Sequence, residues 1–212
     1  MIDRSLNYGR HLIYDFLQQS APFDTVLDIG AGKGTDLLLA RDVKSDSQLF
    51  ALESYPDNVQ VLQSHQVRVY QADIERDTFP FDDGMINVII ANQILEHTKE
   101  VFWIFHEISR ILPIGGKLII GVPNLAALHN RILLGLGRQP SPIKTRSAHV
   151  RGYTKYDLLD FLQSCFPDGY ELVGFGGSKF YPFPPVVAKP LAKMLPNMVW
   201  GIFFITGKKA TL

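Results

Sequence analysis

The stretch from Thr25 to Thr35 limits what this chain can fold into more than any other. A compact apolar run, Thr25–Ile29, is broken only by Asp28. Glycines follow at 30, 32 and 34, and a helical pattern then runs from Thr35 to Arg41. Glycine reaches backbone dihedrals that other residues avoid and lets a ligand come close to the main chain. A strand, a tight turn and a helix in that order open a doubly wound sheet, whose ligands bind outside the carboxyl ends of its strands. Taken alone, the turn also fits an ordinary strand–helix connection.

The rest of the chain repeats this alternation. Helical spacing over Gly9–Gln19 precedes the first strand. Gln48–Glu53 reads as a strand, Pro56–Gln63 as a helix, and Val67–Gln71 as a strand followed by Ala72 and Asp73. Met85–Ala91 is almost continuously apolar, which suits a parallel strand covered on both faces. A helix over Glu100–Ile111 and a strand over Lys117–Val122 complete the regular part. Strands alternating with helices predict an α/β domain with a parallel sheet.

Beyond Pro123 the order loosens. The pattern predicts helices over Leu125–Leu136 and Thr154–Ser164, the second with Thr154 as its cap and Asp157 three residues on. Strands are expected at Tyr170–Phe175 and Val199–Gly207. The last should run antiparallel to its neighbour if no helix lies between them; the intervening Phe180–Trp200 is rich in proline and apolar residues.

Composition narrows the function classes. With 46% hydrophobic and 20% charged residues, the chain of 212 has the makings of a folded core. Lysine plus arginine equals aspartate plus glutamate at 21 each, so there is no basic excess of the kind a general nucleic-acid binder carries. The single cysteine excludes an intrachain disulfide and any site built on several thiolates. No apolar run is long enough for an ordinary membrane-spanning helix, and Met1–Arg10 lacks the apolar centre of a signal peptide. A single cytoplasmic domain over 1–212 is the expectation.

Three nucleotide sites compete for the glycine turn. A phosphate loop requires G-x-x-x-x-G-K-[ST]; before Gly32-Lys33 this chain has Leu27 at the first glycine position, and Gly34 follows the lysine. The dinucleotide fingerprint G-x-G-x-x-G also fits poorly, since the third glycine comes only two positions after the second. The segment Val26-Leu27-Asp28-Ile29-Gly30-Ala31-Gly32-Lys33-Gly34 instead resembles the first motif of class I S-adenosylmethionine (SAM)-dependent methyltransferases. Later segments extend the likeness in order. They are Glu53 at the end of the second strand, Asp73-Ile74 after the third, Phe79–Gly84 before the fourth, Asn92–His97 after it, and Ile111–Leu118. A second stretch of likeness is Arg151–Phe161.

This resemblance implies a Rossmann-like, doubly wound seven-stranded sheet with its last strand antiparallel, and SAM as cofactor. It implies that Gly30, Ala31, Gly32 and Gly34 shape the cofactor turn. Asp28 would organise that turn by accepting backbone N–H bonds. Glu53, with Ser54 beside it, would hold the ribose hydroxyls, and Asp73 the adenine amino group. Ile74 would line the ring, while Asn92 and Leu95 would close over the methionine part. Asn87 stands where many members carry an aspartate; it can accept a hydrogen bond but carries no charge. No histidine–acid cluster shows metal-ligand spacing in the sequence, so no metal is expected.

The acceptor half is less determined. His97 and His149 stand where a general base is expected, with Tyr153 and Asn124 as pocket-lining candidates. The segments 123–152 and 178–200 read as acceptor-side insertions. Asn130, Arg131, Arg138, Lys144, Arg146 and Arg151 would suit an anionic or lipid-linked small-molecule acceptor. Residues 180–200 are rich in large apolar groups. A lid over the acceptor, a homodimer contact, a peripheral membrane contact and packing on the chain's own sheet all stay open. Three other functions also stay open: a protein or RNA methyltransferase, a non-catalytic SAM-binding regulatory module, and a dehydrogenase.

Overall fold

A computed structural model describes residues 9–210; residues 1–8 of the polar N-terminal segment lie outside the described residues. The elements run α1 (Arg10–Ser20), β1 (Thr25–Ile29), α2 (Thr35–Val43), β2 (Gln48–Leu52), α3 (Pro56–Ser64), β3 (Arg68–Tyr70), β4 (Val88–Asn92), α4 (Val101–Ile111) and β5 (Lys117–Pro123). They continue with α5 (Leu128–Gly135), α6 (Lys155–Cys165), β6 (Tyr170–Ser178), α7 (Pro185–Met194) and β7 (Gly201–Lys208). One seven-stranded sheet has the order β3-β2-β1-β4-β5-β7-β6. β1 to β5 pair in parallel, and β7 runs antiparallel to both β5 and β6.

Period-two alternation in the strands divides the core. Leu27, Ile29, Ile89 and Ile120 meet α4, α6 and α7 on one face, whereas Val26, Ile90 and Ile119 meet α1, α2 and α3 on the other. A large apolar side chain fully buried in this way contributes roughly 2 kcal/mol. Asp28 shares its face with Val26, which sends a carboxyl toward α1 and α2 rather than into solvent.

Two readings of the sequence are refined. The apolar run at Met85 does not begin a strand at once; pairing starts at Val88 because Asn87 is tied to the start of β1. Its Oδ1 accepts the backbone N–H groups of Asp24 (2.9 Å) and Thr25 (3.1 Å), and its own N–H donates to Thr25 Oγ1. An uncharged acceptor is therefore sufficient at that position. The segment 180–200 does contain a helix, α7. Pro184 and Pro185 sit at its start, where a missing N–H costs nothing. Pro190 lies within it, and Ala188 and Ala192 pack it onto the core. β7 is antiparallel even so, because it enters between β5 and β6 instead of extending the edge.

The two segments flagged as insertions are stitched together. Asn124 Nδ2 donates to the carbonyls of Asn197 and Val199, both at 2.9 Å. Asn130 is fully buried, donates to Asn124 O at 3.0 Å and accepts the N–H of Ser141. It is a structural knot, not part of a basic cluster. His129 on α5 stacks on Trp200 with centroids 4.9 Å apart, and Tyr181 meets both rings edge-on.

Candidate active site

Strand register builds the site. Gly30 N–H donates to Leu52 O and Glu53 N–H to Tyr70 O, so the carboxyl ends of β1, β2 and β3 finish level. The sheet order reverses between β1 and β4, opening a crevice at that switch point. The three glycines of the turn all have positive φ, from 54° to 77°, but different neighbours. A Cβ on Gly30 would lie 2.7 Å from Ile94 Cδ1, and one on Gly34 would lie 2.6 Å from Leu62 Cδ2. At Gly32 nothing stands within 4 Å, so this glycine faces open space.

Below that space lies Glu53, buried and held by donors at both oxygens. Its Oε2 accepts Gly32 N–H at 2.7 Å and Asn58 Nδ2 at 3.3 Å; its Oε1 accepts the N–H groups of Ser54 (2.8 Å) and Tyr55 (2.9 Å). One carboxylate thus fixes the glycine turn and the entry to α3. Asp28 was expected to hold the turn, and it does not. Among the described residues no turn N–H bonds to it; the donor at Gly32 goes to Glu53 instead.

Asp28 is buried beside Asp36, an acid in the first turn of α2 that sequence reasoning missed. Asp36 Oδ2 accepts Asn92 Nδ2 at 2.8 Å, and its Oδ1 faces Arg10 Nε at 3.4 Å. Burial pushes the Asp28 carboxyl well above its ordinary 3.8, helped by the negative charges of Asp36 and Glu53 and opposed by Arg10. The position of Asp36 in the first turn of α2, two residues after Gly34, was the available signal, but only the fold shows that it is buried. Between 3.8 and its raised value, the folded chain keeps a proton on Asp28 that the unfolded chain releases, so this group's contribution to stability falls as pH rises. Asp28→Asn removes that dependence. The variant should gain in melting temperature relative to the parent as pH rises from about 4, measured by thermal denaturation without added ligand. A difference that stays flat with pH would show that Asp28 is not the titrating group.

The remaining cofactor-side positions share this edge. Asp73 is exposed and organises the turn after β3: its Oδ1 accepts Glu75 N–H at 3.0 Å, and Arg76 lies 3.8 Å from Oδ2. Ile74 is half-buried against the main core, Ala31 packs on the opposite core, and Ser54 is exposed. Leu95 is fully buried. Asn92 ends β4 opposite Gly121, where a Cβ would fall 2.3 Å from its Oδ1. Gln93, the next residue, has φ 57°, an uncommon conformation for a non-glycine that re-aims the chain into the 3-10 turn Leu95–His97.

That turn meets the segment before α6. Val150 and Arg151 N–H donate to Glu96 O at 2.8 and 3.3 Å, and Tyr153 OH donates to Leu95 O at 3.2 Å. His97 and His149 are thereby brought together, with ring centroids 4.7 Å apart. Glu96 completes a trio, and burial pushes its carboxyl up to about 7. Burial, with His97 adding to it, holds the His149 imidazole below its ordinary value; a hydrogen bond to the Pro142 backbone opposes this. Tyr153 and Asn124 are buried and serve as anchors of these segments. A separate cavity, lined by Asp83, His106, Arg110, Pro113 and Lys208, lies at the amino-terminal edge of the sheet and shares no residue with this site.

Residues 27–120 match the family model described as a methyltransferase domain. The chain has a class I SAM-dependent methyltransferase fold. SAM is the cofactor that this fold takes. A Streptomyces fradiae transposon protein of 37.1 kDa, described as uncharacterized, is 28% identical over 111 residues, covering 50% of this chain and 32% of its own length. Arsenite methyltransferase of Halobacterium salinarum is 29% identical over 109 residues, 47% of this chain and 27% of its own. The chain therefore spans about a third or less of the length of those curated relatives. Among solved structures, the methyltransferase in complex with the Haloferax volcanii activator Trm112 aligns with a TM-score of 0.66 at 17% identity, over 98% of this chain and 92% of that one. At that identity the likeness is one of fold. No helix among the described residues of the domain is long and apolar enough to cross a membrane.

Proposed function

We propose that this chain binds SAM across the β1–β4 switch point and transfers its methyl group to a small, amphipathic, lipid- or glycan-linked acceptor. The observation that carries this is the open space at Gly32 with the Glu53 carboxylate 2.7 Å from the Gly32 nitrogen. A ligand can approach the backbone there and meet a fixed, multi-acceptor oxygen pair. Bound SAM supplies an activated methyl on a sulfonium, so the protein's task is to place the acceptor in line and keep water out.

In this reading Glu53 takes the ribose hydroxyls and Asp73 the adenine amino group, with Ile74 against the ring. Asn92, Leu95 and Ala31 border the methionine end. His97 and His149 face the acceptor side. The segments 123–152 and 178–200 form the acceptor's walls. Exposed Ile132, Leu134 and Leu136 near α5, and Val186, Val187 and Met194 on α7, lie among exposed Arg131, Arg138, Lys189 and Lys193. Apolar and cationic groups so interleaved suit an acceptor with a lipid tail and an anionic head, or a shallow contact with the membrane that carries it.

Titration calorimetry with SAM and with NAD tests the cofactor; tighter NAD binding would reverse the reading. Labelled methyl transfer from SAM into fractionated cell extract, followed by mass spectrometry of the product, tests the acceptor. SAM binding with no labelled product would favour a regulatory module. Asp73→Ala should weaken SAM binding roughly tenfold, the cost of one hydrogen bond to a charged group. Its melting temperature should barely change, because the side chain is exposed. Unchanged affinity would remove Asp73 from the adenine site.

A further inference from the structure

The 3-10 turn after β4 and the strand-like segment before α6 are far apart in sequence, yet they place two imidazoles and a carboxylate in one cluster. Glu96, His97 and His149 each offer one ligand atom, and these atoms all lie within 4.8 Å of one another. Glu96 is 2% exposed, and its Oε2 has no hydrogen-bond partner. The buried Nδ1 of His149 has none either. A buried acceptor left unmade costs about 1–3 kcal/mol, and here two occur within one trio.

What both atoms lack is something that accepts an electron pair. A metal ion does so for both at once. The supporting shell has the form that metal sites use: a ligating histidine has its other nitrogen held by a carbonyl or carboxylate. The Pro142 backbone accepts from the His149 imidazole. The backbone bonds from Val150 and Arg151 to Glu96 O hold the two segments in register.

We propose that Glu96, His97 and His149 hold a divalent transition-metal ion, of the zinc or iron(II) class, with at least one coordination position left open. Two histidines and a carboxylate are the ligand set of open, reactive zinc and non-haem iron sites, whereas calcium and magnesium prefer all-oxygen shells. Ligands 2.1 Å from a tetrahedral zinc stand about 3.4 Å apart, so the trio closes by on the order of 1 Å. His97 is exposed and free to make that movement. The open position takes an oxygen of the acceptor, a hydroxyl, carboxylate or phosphate, and holds it on the carboxyl side of β4. That last role rests on the methyl-transfer reading; binding of the ion does not.

The test uses the full chain, stripped with chelator and titrated calorimetrically with Zn2+, with Co2+ absorption as a second signal for the ligand set. One equivalent per chain is expected. Affinity should fall at least tenfold in His97→Ala, His149→Ala and Glu96→Gln, with His65→Ala unchanged. SAM titrations of the same preparations serve as the folding control and separate this proposal from the cofactor reading. Absence of stoichiometric binding, or affinity that His97→Ala and His149→Ala leave within twofold, overturns the metal site even where SAM still binds.

Discussion

Glu53→Gln is expected to weaken SAM binding roughly 100-fold, because two hydrogen bonds to a charged acceptor are worth about 3 kcal/mol together. The substitution preserves shape and changes only one oxygen into an NH2 group. In the parent every oxygen of Glu53 accepts two donors, Gly32 and Asn58 on one side and Ser54 and Tyr55 on the other. An amide cannot accept on both sides, so one pair of N–H groups is left facing another donor. The glycine turn or the start of α3 then shifts, and the ribose loses its acceptor as well. Calorimetry on the variant measures the loss. An affinity within threefold of the parent would mean that Glu53 is only a structural brace for the turn.

Arg110→Ala should destabilise the fold by about 3 kcal/mol or more, the usual consequence of leaving a buried charge unpaired. Arg110 donates from Nε and Nη2 to the two oxygens of Glu107 (3.0 and 2.7 Å). It also bonds the carbonyls of Phe79 (2.9 Å) and Phe81 (2.7 Å) and the Asp83 carboxylate (2.9 Å). Glu107 is 1% exposed and accepts Phe79 N–H at 2.7 Å. This pair clasps the turn that feeds β4, at the amino-terminal edge of the sheet. The melting temperature should drop by roughly 10 °C for a chain of this size. The double variant Glu107→Leu with Arg110→Leu should recover part of the loss, since no isolated buried charge remains. A single-variant drop below 3 °C would show that the clasp is dispensable.

Local order was largely legible along the chain. The strand–turn–helix at Thr25–Thr35, the apolar strands and the cap at Thr154, whose Oγ1 accepts Asp157 N–H at 3.2 Å, are set by short-range periodicity and turn chemistry. The strand ends Glu53 and Asp73 could be located for the same reason: each terminates a hydrophobic run. The helix in 180–200 was not read from the sequence, because proline density hid its spacing. Prolines at a helix start are harmless, and alanines facing the core make up for Pro190.

What side chains do to one another across the sheet was not legible. The assignment of the turn's organising carboxylate to Asp28 failed because Asp28 and Glu53 are both acids near the turn, and only the face on which each lies separates them. Asp36 carries no sequence mark that sets it apart from other first-turn helix acids; α1 and β4, closing over it, bury it. His97 and His149 were each visible as single candidates; their meeting with Glu96 was not.

The sequence by itself determined that this is a doubly wound α/β domain with a glycine-lined ligand turn, since strand, helix and turn preferences act over a few residues. Tertiary structure alone decided which carboxyl grips that turn, where β7 inserts, and that two histidines and a glutamate from distant segments share one site. Those outcomes depend on sheet order and on which groups lose contact with water, and burial is a property of the packed chain, not of any residue in it.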